Sequence, residues 1–126
     1  MIARLAVAVI SLAAVAAAAA DAQVGPLVTH YGADRAQEVW VYPHHPVSDL
    51  EPAIVMIHGG GWSKGSAQSI ADDAVRLAQL GYVVFSVDYP LDTADRAGYP
   101  LEDDSVATAV RWAIPMRGST VRIRGT

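Results

Sequence analysis

The chain has 126 residues, a formal net charge of −4 and no cysteine. That length suggests one domain at most. Without cysteine there is no disulfide framework, and nine basic against thirteen acidic residues provide no basic stripe of the kind that grips nucleic acid.

Met1 to Arg4 make a short positive start, and Leu5 to Ala20 follow as an almost unbroken apolar run. Ala20-Asp21-Ala22 offers small residues at the two positions a signal peptidase reads. Residues 1–22 are therefore expected to be a signal peptide cleaved before Gln23, sending the chain to the periplasm or the exterior. The run is dominated by alanine and shorter than the ~20 strongly apolar residues of a spanning helix, so no stable membrane anchor is expected. Residues 23–126 form the folded part.

Val24 to Thr29 suit a short first strand, and Tyr31-Gly32-Ala33-Asp34 a turn. Gln37 to Tyr42 is rich in β-branched and aromatic residues and is closed by Pro43, which suits a strand near a sheet edge. Pro43 to Pro52 is loop chemistry. Ala53 to Ile57 (AIVMI) is a continuous apolar run, the pattern of a strand buried on both faces of a parallel sheet. His58-Gly59-Gly60-Gly61-Trp62 comes directly after it.

Ser66 can cap a helix whose apolar positions Ile70, Ala74, Leu77 and Ala78 fall at helical spacing. Asp72 and Asp73 suit its positive N-terminal end and Gly81 its stop. Tyr82 to Val87 reads as a second buried strand, ended by Asp88-Tyr89-Pro90, and Leu91 to Tyr99 as a polar loop. Pro100 opens a second helix with Glu102, Asp103 and Asp104 in its first turn. Val106, Val110, Ala113 and Ile114 share one face of it, and Pro115 stops it. Val121 to Arg124 can begin a further strand. Strands alternating with helices predict an α/β fold, a mostly parallel sheet with helices on both faces.

Three successive glycines after a buried strand need a physical reason. Each costs conformational entropy on folding, so they belong where the backbone takes positive φ or another group comes close. At the carboxyl end of a parallel strand such a loop borders the crevice where ligands bind. Its free N–H groups can face a developing negative charge, where one well-placed donor is worth roughly 3–4 kcal/mol to a tetrahedral intermediate.

These residues resemble a known family. His58-Gly59-Gly60-Gly61-Trp62 is similar to the HGGG-type oxyanion motif of α/β-hydrolase esterases and lipases, on the loop after their third strand. Tyr31-Gly32, Gln37, Val39 and Val41-Tyr42-Pro43 resemble the first hairpin of these esterases. Gly81 to Val84 with Asp88-Tyr89 resembles their fourth strand and its exit, and Tyr99-Pro100 with Val110-Arg111-Trp112 a later helix. The resemblance covers about residues 28–112 and implies the N-terminal half of an α/β-hydrolase fold. It implies hydrolysis of a small-molecule carboxylic ester through a serine nucleophile, with no cofactor and no metal. Gly60 and Gly61 would donate the oxyanion N–H groups, Gly59 and Trp62 would complete the turn, and His58 would brace the loop rather than act as a base. An aromatic residue at position 62 resembles secreted carbohydrate-ester and feruloyl-type esterases, and equally arylformamidases, so it leaves the substrate open.

The triad of this fold comes in the order serine, acid, histidine, and none of the three is expected within the chain. Val121 to Thr126 looks like the strand running into the nucleophile turn. The stretch from Trp112 to Gly125 is short and basic for that role, so either the crossover is abbreviated or the tail after Trp112 is unrelated to the family. The chain alone is then expected to be inactive. The competing reading is a catalytically inactive exported binding or interaction protein, or an inert fragment, that keeps the scaffold.

Other candidates carry less. Gly61-Trp62-Ser63-Lys64-Gly65 matches the letters of a nucleophile elbow, but Ser63 lies beyond the glycine loop instead of on a sharp turn off the strand. His44 and His45 are neighbours in an extended loop and point apart, which argues against a shared metal. His30 reads as hairpin surface. The paired acids Asp72/Asp73 and Asp103/Asp104 complement helix ends, Asp88 is placed to order the loop, and Trp112 reads as packing.

Overall fold

The computed structural model describes residues 25–44 and 52–116. The expected signal peptide, His45 and the strand expected at Val121–Arg124 lie outside the described residues. Four strands form one sheet: β1 (Leu27–His30), β2 (Glu38–Tyr42), β3 (Ala53–Ile57) and β4 (Val83–Val87), in the order β1-β2-β4-β3. β1 pairs antiparallel with β2, β2 antiparallel with β4, and β3 parallel with β4 in the register Ala53–Val83 to Ile57–Val87. A 3-10 turn (Ala67–Ile70) runs into helix α1 (Ala71–Gln79), and helix α2 (Leu101–Ala113) follows β4.

β4 is the centre of the sheet. All five of its residues are buried, and because neighbouring strand residues face opposite ways, it feeds two cores. Val83, Phe85 and Val87 join Tyr31, Val39, Val41, Ala109 and Ala113 on the side of α2. Val84 joins Tyr42 and Ala74 on the side of α1, with Met56 and Leu77 packed against them. The helices therefore cover opposite faces, as an α/β layer architecture requires.

The Ser66 cap falls on the 3-10 turn that leads into α1: its hydroxyl accepts a hydrogen bond from the Ser69 amide at 3.3 Å, while α1 itself starts behind Ile70 without a side-chain cap. Asp72 and Asp73 sit in the first helical turn, and the chain leaves after Leu80.

β2 lies one strand in from the sheet edge, with β1 on one side and β4 on the other. Pro43 falls just past the last paired residue, Tyr42, so its missing N–H removes no ladder bond. β3 is not buried on both faces: Ala53 and Ile57 are exposed and the middle three residues are half-buried. It pairs only with β4 among the described residues, and an edge strand keeps one flank in solvent. Finally, of the face expected on α2 only Ala113 is buried; Val106 is half-buried, and Val110 and Ile114 are exposed. Glu102, Ser105 and Ala109 face inward with Ala113. Small residues let the helix lie close over Phe85, while Trp112 meets that ring edge-on at 6.0 Å.

Candidate active site

The segment His58 to Ser66 joins β3 to the 3-10 turn, at the carboxyl end of the parallel pair. Its backbone takes left-handed or related conformations at three successive positions, with φ of 138° at Gly60, 60° at Gly61 and 63° at Trp62. A side chain at residue 60 would collide with the Lys64 carbonyl, whereas one at residue 61 would enter open space. The first glycine is thus required twice over, by conformation and by contact, and the second by conformation alone.

The loop is fastened from below. His58 is buried, and its Nδ1–H donates to the Gly59 carbonyl at 2.9 Å; a carbonyl only accepts, so the proton lies on Nδ1. Tyr89 lies flat under the imidazole, with ring centroids 4.4 Å apart and planes 10° apart. The Tyr89 hydroxyl donates to the His58 carbonyl at 2.8 Å. The same phenol ring meets Trp62 at 5.4 Å in a tilted arrangement. Farther along, the Asp92 amide donates to the Trp62 carbonyl at 2.8 Å, and the Ser63 amide to the Gly60 carbonyl at 3.3 Å.

Asp88 links the loop to the rest of the sheet. Its Oδ1 accepts from the Ala67 amide at 2.6 Å and stands 3.5 Å from His58 Nε2. That second contact is an electrostatic approach and not a hydrogen bond, because His58 Nε2 is buried without a hydrogen-bond partner. Burial pushes the Asp88 carboxyl above its usual range, against the opposing pull of the Ala67 amide and His58. The Asp88 carbonyl accepts from the Tyr31 hydroxyl at 2.5 Å, and its amide donates to the Glu38 carbonyl. Burial, more than any neighbouring charge, raises the Tyr31 phenol to about 12.

With both flanks held, the amides of Gly59, Gly60, Gly61 and Trp62 donate to no acceptor among the described residues. Successive unpaired backbone donors at a positive-φ bend are the groups from which anion-binding backbone nests are built. A groove of about 410 Å³ opens nearby at the carboxyl end of β4. Gly65, Ser66, Asp88 and Tyr89 line it, but Gly59 to Gly61 do not.

The remaining candidates separate clearly. Ser63 is exposed, and its hydroxyl reaches only the Gly60 carbonyl, at 3.4 Å. His44 sits against the Ala78 carbonyl at 3.1 Å, and His30 is exposed on β1. Asp72, Asp73, Asp103 and Asp104 are exposed on their helices. Among the described residues no group of three His, Cys, Asp or Glu is arranged to hold a metal. Sequence reasoning missed two residues. Glu102 is buried, with Gly98 packed against its carboxyl group and Oε2 unpartnered. Tyr89, noted only within a strand exit, is the support on which His58 rests. Its position one residue past Asp88, right after a strand parallel to β3, was the available signal.

The fold is that of the α/β-hydrolase esterases. The native structure of a thermophilic esterase from Thermogutta terrifontis aligns with a TM-score of 0.64 at 24% identity, covering 73% of this chain and 34% of that one. The apo form of Thermogutta terrifontis esterase 2 aligns with a TM-score of 0.58 at 25% identity, over 72% and 35%. Carboxylesterase NlhH of Mycobacterium tuberculosis is 40% identical over 76 residues, which is 59% of this chain and 23% of that protein. The chain thus spans about a quarter of the length of the curated relative it matches. The BD-FAE profile matches residues 41–116, and the chain belongs to that family of α/β-hydrolase esterases.

Proposed function

We propose that this chain is the oxyanion-bearing part of an exported serine carboxylic-ester hydrolase that acts on small-molecule esters. One observation carries the reading: the unpaired amides of the Gly59–Gly61 bend, held at the carboxyl end of β3 by the His58–Tyr89 support. Gly60 and Gly61 would donate to the oxygen that becomes negative when an ester carbonyl is attacked. Gly59 and Trp62 shape the turn. His58, whose Nδ1 is occupied by the Gly59 carbonyl, holds the loop and takes no proton from a nucleophile.

In the chemistry proposed, a serine oxygen attacks the ester carbonyl and a histidine takes its proton. The tetrahedral intermediate then expels the alcohol to leave an acyl-enzyme, which water hydrolyses. No serine among the described residues stands within hydrogen-bond reach of a histidine ring. The serine, acid and base are assigned to residues other than those described, which leaves the described residues with the oxyanion donors alone. Export rests on the apolar run Leu5–Ala20 and the small residues Ala20 and Ala22, with no stable membrane anchor, no cofactor and no nucleic-acid partner.

The test has two arms. Purified chain should not turn over short p-nitrophenyl esters, and turnover that disappears in Ser63→Ala would overturn the assignment. In the longer protein, if the gene continues into a serine turn, Gly60→Ala should lower kcat by about 10²–10³ with little change in KM. An unchanged kcat would remove the oxyanion role from this loop.

A further inference from the structure

The groove of about 410 Å³ beside β4 lies within the size range of small-molecule sites, and the ester chemistry proposed above makes no use of it. Its walls come from the turn between β1 and β2 and from the segment leaving β4. Arg35 and Glu38 stand on one side, Leu91 and Arg96 on the other, and Ser66 and Asp88 line it at the carboxyl end of β4. The charges are not equivalent. Arg96 is engaged by Asp34 at 3.4 Å, and Glu38 accepts from the Trp40 indole at 2.8 Å. Asp88 Oδ1 is taken by the Ala67 amide, which leaves Oδ2 without a protein partner among the described residues. Arg35 is exposed and has no partner among the described residues.

The groove therefore combines one uncommitted guanidinium with two carboxylates that still have free lone pairs. A guanidinium fork matches a carboxylate in two parallel hydrogen bonds. The carboxylates repel a multiply charged anion such as phosphate and need donors, which hydroxyl groups supply. Leu91 and the aliphatic stem of Arg35 give such a ligand an apolar surface to lie against.

We infer that this groove binds a small polyhydroxylated carboxylate, a sugar acid, with its carboxylate on Arg35 and its hydroxyls on Asp88 and Glu38. The site is separate from the glycine bend and stands whether or not that bend serves ester chemistry.

Calorimetric titration of the whole chain tests it, with D-gluconate as the probe and D-glucose and acetate as controls. Gluconate should bind about tenfold more tightly than either control, since each control lacks one half of the recognition. Arg35→Ala should weaken gluconate about tenfold while leaving glucose unchanged. Arg35→Lys, which keeps the charge but not the fork, should fall between. Both substitutions are at an exposed turn, and circular dichroism checks that the variants stay folded. Acetate binding as tightly as gluconate would reduce the groove to a charge effect. Glucose matching gluconate, Arg35→Ala without effect, or no heat at about 10 mM ligand would each overturn the proposal.

Discussion

Gly60 and Gly61 are both kept by backbone conformation, yet they are not equally constrained. Holding a residue with a side chain at the Gly60 dihedral costs about 1–3 kcal/mol, and the collision with the Lys64 carbonyl adds to that. At Gly61 the cost is the left-handed penalty alone, about 1–2 kcal/mol. Gly59 has neither constraint, so Gly59→Ala should stay within about 0.5 kcal/mol of wild type. Urea denaturation should rank the three alanine variants with residue 60 the worst and residue 59 the mildest; equal losses at 59 and 60 would contradict the loop geometry. Tyr89→Phe removes the bond to the His58 carbonyl and should cost about 0.5–1.5 kcal/mol, read from the same denaturation curves. Asp88 makes a prediction in pH. Burial raises its folded pKa above the ordinary value of 3.8, so the folded chain binds the proton more readily than the unfolded one. Its contribution to stability is then complete below about pH 3.8 and is lost as the pH rises through the folded value. Asp88→Asn cannot titrate, so thermal melts across mildly acidic pH should show wild type losing ground to the variant as the pH rises; parallel curves would refute the buried-carboxyl account.

Element by element, the sheet rests on β4 and the packing of α2 on Ala109 and Ala113. Phe85 is fully buried between β2, β3 and α2, and Phe85→Ala should cost about 3–5 kcal/mol. Ala109→Leu should cost about 1–3 kcal/mol by forcing the helix off the sheet, whereas Val110→Ser, on the exposed side, should change stability by less than about 0.5 kcal/mol. The sequence alone ranks these two the other way, because valine at a helical spacing looks more like core than alanine does. Chemical denaturation of the pair therefore distinguishes the observed helix face from the one its hydrophobic spacing predicts.

For the whole molecule, the informative feature is the outer side of β3. All five residues of β3 are apolar, Ile57 is 44% exposed, and no strand pairs with that side among the described residues. Open strand edges are templates for further pairing, so the chain at high concentration should self-associate. Ile57→Lys, which puts a charge on that edge, should shift sedimentation profiles toward monomer; an unchanged profile would place the contact elsewhere.

Local chemistry was enough to read much of this chain. The apolar runs at Ala53–Ile57 and Val83–Val87, the serine cap at Ser66 and the proline and glycine stops mark elements whose backbone preferences do not depend on distant residues. The glycine bend was legible for the same reason, since three glycines in a row after a strand have few conformational explanations. Sequence could not say which strand stands at the edge, which side of α2 faces the sheet, or that Glu102 is buried. Nor could it show that Tyr89 supports His58 or that Arg35 and Arg96 share a groove. Those facts depend on strand order and on contacts between residues far apart in the chain, such as positions 31 and 88 or 58 and 89. Burial and proximity are set by what the folded chain places opposite a residue, and no local pattern encodes that.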